Sequence, residues 1–105
     1  MGVTLHYRLP SHAFRMQPAR GTVIHRTGKW GMGPEIHGEL ISLSQDRAGV
    51  LWPREEAVGS QLELRFRDHS SPREFHVNCR VRQVKALEDG RVELIVDFDK
   101  RIPYL

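Results

Sequence analysis

The side chains of this 105-residue chain that could do chemistry are six histidines, one cysteine, thirteen carboxylates and thirteen arginines, and their spacing decides which can act together. His76 and Cys79 stand three apart in a stretch that alternates polar and apolar residues. On a strand they point to opposite faces, so they cannot share a metal ion. Cys79 is in phase with Phe75, Val77 and Val81 and reads as a small core residue. His6, His12, His25, His37 and His69 show no metal-ligand pairing. Ser42 and Ser44 lack the glycines of a nucleophile elbow. No Gly-rich loop opens a helix to cradle a phosphate. Asp97 and Asp99 flank Phe98 near a strand end and read as solvated charges. No catalytic constellation emerges, and the expectation is a domain that binds rather than catalyses.

Charge narrows the class of partner. Residues 1–34 hold five basic residues (Arg8, Arg15, Arg20, Arg26, Lys29) and no acid, while 35–105 hold eleven basic and thirteen acidic. Arginine suits forked phosphate contacts and stacking on flat rings. The acid-free segment is therefore either a solubilising stretch or an anion-binding arm. A single cysteine excludes an internal disulfide. No apolar run approaches the roughly 20 residues that span a bilayer, and the N-terminal residues lack the apolar stretch of a signal peptide. These features point to a soluble, cytoplasmic domain with no membrane insertion and no cofactor.

The elements that must position these residues are strands. Gln61–Arg67 alternates without error, placing Leu62, Leu64 and Phe66 on one face. Phe75, Val77, Cys79 and Val81 repeat the pattern, and the phase then slips to Val84, as a bulge produces. Val92, Leu94, Val96 and Phe98 form a third stripe. Weaker strands are predicted at about 3–9, 21–26, 36–43 and 48–52. Thr27–Glu35, broken by Gly31, Gly33 and Pro34, reads as a loop, and Glu88-Asp89-Gly90 as a hairpin turn. Only Arg54–Ala57 invites a helical turn. The expected fold is all-β, a small antiparallel barrel of six or seven strands with little or no helix. Its predicted organisation is a basic arm at 1–20 and the barrel at 21–105.

Gly38-Glu39-Leu40-Ile41-Ser42-Leu43-Ser44 followed by Gly49-Val50-Leu51 resembles the central motif of PilZ domains, a strand running into Asp/Asn-x-Ser-x-x-Gly and a second apolar strand. Val58–Leu64, Phe75–Val84 and Val92–Phe98 keep the family's rhythm, and Phe14-Arg15-Met16 followed by Pro18 is similar to the end of its Arg-x-x-x-Arg segment. The resemblance spans roughly residues 11–98. It implies a six-stranded barrel that binds cyclic di-GMP, with arginines clamping phosphate and stacking on guanine while the Ser-containing turn meets the base.

Carried over residue by residue, the resemblance implies contacts from Arg15, Arg20, Ser42, Ser44, Arg47 and Gly49. The pattern departs from the family at three points. Ser11 stands at the first arginine position, Ser42 at the Asp/Asn position, and four residues rather than two separate Ser44 from Gly49. The longer turn, Gln45–Ala48, could bring Asp46 or Arg47 to a ligand. Ser44 could contact a ligand or bond its own turn. Gly49 could be set by backbone geometry alone. Trp52 is a stacking surface or a core residue, and Trp30 is an exposed contact or a ring folded over the barrel mouth.

Two functions follow from the resemblance. One is a cyclic di-GMP receptor or adaptor that relays the signal to a partner protein. The other is a degenerate barrel that acts by protein contact alone. A nucleic-acid groove is disfavoured because no second aromatic platform stands on the polar strand faces. After Phe98 comes only Asp-Lys-Arg-Ile-Pro-Tyr-Leu. The barrel end would then be covered by the arm, by Tyr104 and Leu105, or by a partner chain, and an uncovered end would favour a homo-oligomer.

Overall fold

The computed structural model describes residues 16–69 and 74–102. Six strands follow one another: β1 (Gln17–Arg26), β2 (Glu35–Leu43), β3 (Arg47–Trp52), β4 (Gln61–Asp68), β5 (Glu74–Ala86) and β6 (Val92–Phe98). All neighbours are antiparallel, and the order β1-β2-β3-β6-β5-β4 closes into a barrel. Closure leaves one interior, and the alternating stripes fill it. Leu62, Leu64 and Phe66 from β4 meet Val77, Cys79 and Val81 from β5 and Val92, Leu94, Val96 and Phe98 from β6. Phe66 and Phe98 pack edge to face, with ring centroids 5.5 Å apart.

The barrel and its six strands match the expectation. The predicted strand at 3–9 lies outside the described residues. The first described strand begins at Gln17, so residues 17–20, predicted as the end of the arm, are barrel strand. The phase slip after Val81 is a bulge, where the β5–β6 register shifts between Val81 and Gln83. Leu87–Arg91 forms the predicted hairpin turn, with Gly90 at φ 88°. Arg54–Ala57 forms no helical turn. The only helical geometry among the described residues is a three-residue 3-10 turn at Lys29–Gly31.

Two irregularities shape the surface. The β1–β2 register shifts between Pro18 and Gly21, and the β2–β3 register between Leu40 and Ser42, so each hairpin carries an extra residue on one strand. At Gly21 the shift brings the Arg67 carbonyl so close that any Cβ would collide with it. The turn end of the barrel is closed by Ile102, which is buried and whose N–H donates to the Gln45 carbonyl at 2.9 Å. Tyr104 and Leu105, predicted to share that role, lie outside the described residues.

Candidate ligand-binding site

The β2–β3 turn, Ser44 to Arg47, is pinned from three sides. The Ser44 N–H donates to the Arg47 carbonyl at 2.9 Å, the Phe98 N–H to the Asp46 carbonyl at 2.9 Å, and Ile102 holds Gln45. The Ser44 side chain is 0% exposed, and its hydroxyl donates to the Asp46 carboxylate at 2.8 Å. Of the two roles open to Ser44, the turn role is the one this geometry builds. A buried hydroxyl bonded to its own turn does not face a ligand on the barrel surface.

Arg47 opens β3 on the outer face. Its Nε donates to Asp97 Oδ1 at 2.8 Å, and Arg82 Nε reaches Asp97 Oδ2 at 2.8 Å. Asp97, read from sequence as a solvated charge, is a bridge between two arginines on neighbouring strands. Arg80 is exposed, and its Cα is the register partner of Asp97. Two guanidiniums thus share one carboxylate, and Arg47 is positioned by residue 97 rather than by its own turn. The signal available in the sequence was an acid on the outward phase of β6, but its partners depend on register.

Ser42 and Gly49 are direct cross-strand partners, as the motif requires. Gly49 has no positive φ; its role is close approach. A Cβ there would collide with Ser42 Oγ and touch Ile41 and Ile95. Ser42 Oγ in turn points to Met16 Sδ at 3.5 Å. Met16, the residue before β1, therefore lies against Ser42. Arg15 lies outside the described residues.

Arg20 lines a separate groove of about 1020 Å³ beside the β1 irregularity between Pro18 and Gly21. Pro18, Ala19, Leu40 and Ile41 are its apolar lining, and Glu39, His69 and the buried Asp68 complete it. The His69 N–H donates to the Arg20 carbonyl at 2.8 Å and ties β4 to β1 at the groove floor. Pro18 pairs with Ser42, so the groove adjoins the Ser42–Gly49 face. The sequence carried no sign of Asp68 or His69, since three strands assemble the groove. Of the predicted set, the structure brings Ser42, Gly49 and Arg20 to one side, turns Ser44 inward and ties Arg47 to Asp97.

The remaining candidates resolve clearly. Trp52 is core. Cys79 is buried, and burial, followed by the nearby Asp99 and Asp97 charges, pushes its thiol pKa up out of the reactive range. His76 is exposed on the opposite face, as its spacing demanded. Trp30 is exposed at the far end of the β1–β2 hairpin, away from the groove. Among the described residues no group of three or more His, Cys, Asp or Glu side chains could hold a metal ion, and no helix is long and apolar enough to cross a membrane.

A closed six-stranded antiparallel barrel in the order β1-β2-β3-β6-β5-β4 is PilZ-like, and comparison with solved structures agrees. The chain is similar to the PilZ domain of YcgR from Escherichia coli, solved with c-di-GMP, at 12% identity and a TM-score of 0.62, covering 82% of this chain and 76% of that one. It is also similar to the inhibitor of motility MotI/DgrA of Bacillus subtilis, at 13% identity and a TM-score of 0.64 over 86% of this chain. The match spans 43% of MotI/DgrA, less than half of that protein. No protein-family model and no curated protein matches the sequence.

Proposed function

We propose that this barrel is a cyclic di-GMP receptor or adaptor domain that relays binding to a partner protein without a catalytic step of its own. The observation that carries the reading is Met16 lying against Ser42, the cross-strand partner of Gly49. Arg15 directly precedes Met16 in the sequence, and in this reading it supplies a phosphate contact. Arg20 flanks the same side from the groove. Ser42 offers a hydroxyl at the base-binding position, and the acid-free arm suits a doubly charged nucleotide. The likeness to a barrel solved with c-di-GMP supports the ligand class. In this reading the arm orders on the nucleotide and the new surface is what the partner meets.

A second reading rests on a specific observation of its own. Ser44 is buried in its turn and Arg47 is held by Asp97, so two of the six candidate residues are already engaged. That favours a barrel acting by protein contact alone. A thermal-shift titration separates the two. Ligand at a hundredfold its Kd stabilises the native state by about 2.7 kcal/mol. For a domain of this size that is a rise on the order of 10 °C. A rise with cyclic di-GMP that disappears in Arg15→Ala and shrinks in Arg20→Ala supports the receptor. No rise at millimolar nucleotide leaves the protein-contact reading.

A further inference from the structure

Barrel closure does not reach the far part of β5. β4 pairs with β5 only as far as Gln61, opposite Arg80. One residue further the connector takes over: Gly59 N–H donates to the Val81 carbonyl at 2.8 Å, and Val81 N–H to the Ser60 carbonyl at 2.9 Å. β5 then runs on to Ala86 with β6 as its neighbour on one side alone. Leu87 N–H donates to the Arg91 carbonyl at 2.9 Å, so Leu87 and, two residues back, Lys85 turn their backbone toward β6. Val84 and Ala86, in the alternate phase, turn theirs away from it. Neither makes a backbone hydrogen bond on that side among the described residues. Arg82–Ala86 is therefore an open edge with two N–H and two C=O groups left to water, a feature that proteins otherwise cover.

The side chains beside this edge decide what fits it. Residues 78–87 carry Arg80, Arg82 and Lys85 and no acid. Arg80 and Lys85 are exposed and make no ion pair among the described residues. Arg82 reaches Asp97 through Nε, on the β6 side, and shares that acid with Arg47. Lys85 has Glu93 as its register partner, also on β6. At the start of the open side, Ala57–Ser60 holds no acid. Val84, in the phase opposite to Lys85, is partly buried against the core. An incoming strand would thus set apolar side chains beside Val84 on one face and carboxylates beside Lys85 and Arg82 on the other. A second copy of β5 is a poor occupant, because antiparallel self-pairing sets basic side chains against basic ones. Residues 1–15, 70–73 and 103–105, outside the described part, contain no Asp or Glu, so they supply no acidic strand either.

We infer that the Arg82–Ala86 edge accepts an extended segment of a partner protein in which acidic and apolar residues alternate. The partner adds a strand to β5. Its backbone pairs with Val84 and Ala86 and supplies affinity, and its alternating side chains supply selectivity. A short ladder and solvent-exposed ion pairs make the contact weak. The inference does not rest on nucleotide binding: β5 is separated by β6 from the β2–β3 pair that carries Ser42 and Gly49, and the test uses no nucleotide.

The test is a nuclear magnetic resonance titration of the whole isotope-labelled protein with a capped peptide alternating valine and glutamate, up to about 1 mM. Amide signals of Arg82–Ala86 should shift. The Val84 and Ala86 N–H groups should gain protection from hydrogen exchange, while Lys85, already paired to β6, should gain little. The same peptide N-methylated at every residue keeps its carboxylates but cannot pair as a strand, and should not bind. Lys85→Glu, at an exposed position, should weaken binding by about 5-fold or more and should favour a valine–lysine peptide instead. No binding of the valine–glutamate peptide at that concentration overturns the inference. So does equal binding of the N-methylated peptide, which would make the contact one of charge alone, or undiminished binding to Lys85→Glu. Shifts centred on Trp30 or the Arg20 groove, with Val84 and Ala86 unprotected, overturn it as well.

Discussion

The two tryptophans sit near the same end of the barrel and have opposite fates. β3 ends at Trp52, whose ring lies on Gly38 so closely that a Cβ at 38 would collide with it. Its indole N–H donates to Glu56 at 3.0 Å, so both the ring and the polar edge are satisfied. Trp30 has neither cover nor relaxed backbone. Four hydrogen bonds and two glycines hold it outward. Burial of an aromatic ring is one of the largest single contributions a small core can gain, and here one ring makes it while the other does not. The contrast separates a ring that the core covers from one that its loop leaves in solvent. Residue type cannot tell them apart, because both are Trp.

The largest break in that contrast is Trp52→Ala. Removing a buried aromatic costs about 3–5 kcal/mol, which at about 4–8 °C per kcal/mol should bring the domain near unfolding at room temperature in a urea melt. A loss under about 1 kcal/mol would mean that the Trp52 site is not core. Gly49→Ala should cost less, about 1–3 kcal/mol, because the atom it strikes is the mobile Ser42 hydroxyl rather than backbone. Pairing it with Ser42→Gly should recover most of that loss. A double-mutant cycle showing strict additivity would remove the Ser42–Gly49 contact from the account.

The base of the Trp30 loop has its own signature in pH. Burial alone would raise the Glu35 carboxyl, but the Arg26 and Arg65 guanidiniums, helped by His37, hold it below its ordinary value. Glu74 behaves alike, with burial opposed by a hydrogen bond from Arg67 and the charges of Arg65 and Arg67. A carboxylate whose folded pKa is depressed contributes stability that is fully present above its unfolded value and is lost as pH falls through the folded one. The melting temperature should therefore decline as pH drops below about 4.5. Glu35→Gln should flatten part of that decline. An unchanged slope in that variant would show that the Arg26–Glu35–Arg65 cluster is not coupled to folding.

The smallest effect is expected where Trp30 is replaced. Trp30→Asn keeps a residue that tolerates the left-handed region and removes an exposed ring, so the fold should be unchanged or gain up to about 1 kcal/mol. A destabilisation comparable with that of Trp52→Ala would erase the distinction between the two regions.

The outer face shows the same division between what is local and what is not. Leu62, Leu64 and Phe66 were readable as one stripe because a strand alternates with period two whatever it pairs with. The bulge after Val81 and the Asp89-Gly90 turn were readable for the same reason, since each is a property of a few consecutive residues. The Ser42–Gly49 pair was half legible. The motif names both residues, but the collision that requires glycine at 49 exists only across two strands.

The rest of the site was not legible at all. Asp97 is 50 residues from Arg47, and the groove takes residues from β1, β2 and β4. The burial of Ser44 depends on Ile102 and Phe98 closing over the turn. Alternation, turn chemistry and charge balance are properties of the chain, so the sequence by itself determined an all-β barrel with a basic entry segment. Which arginine meets which carboxylate, which serine faces solvent and which tryptophan is covered are decided by strand register and barrel closure. Register is a long-range choice that shifts every partner at once, and only the tertiary structure makes it.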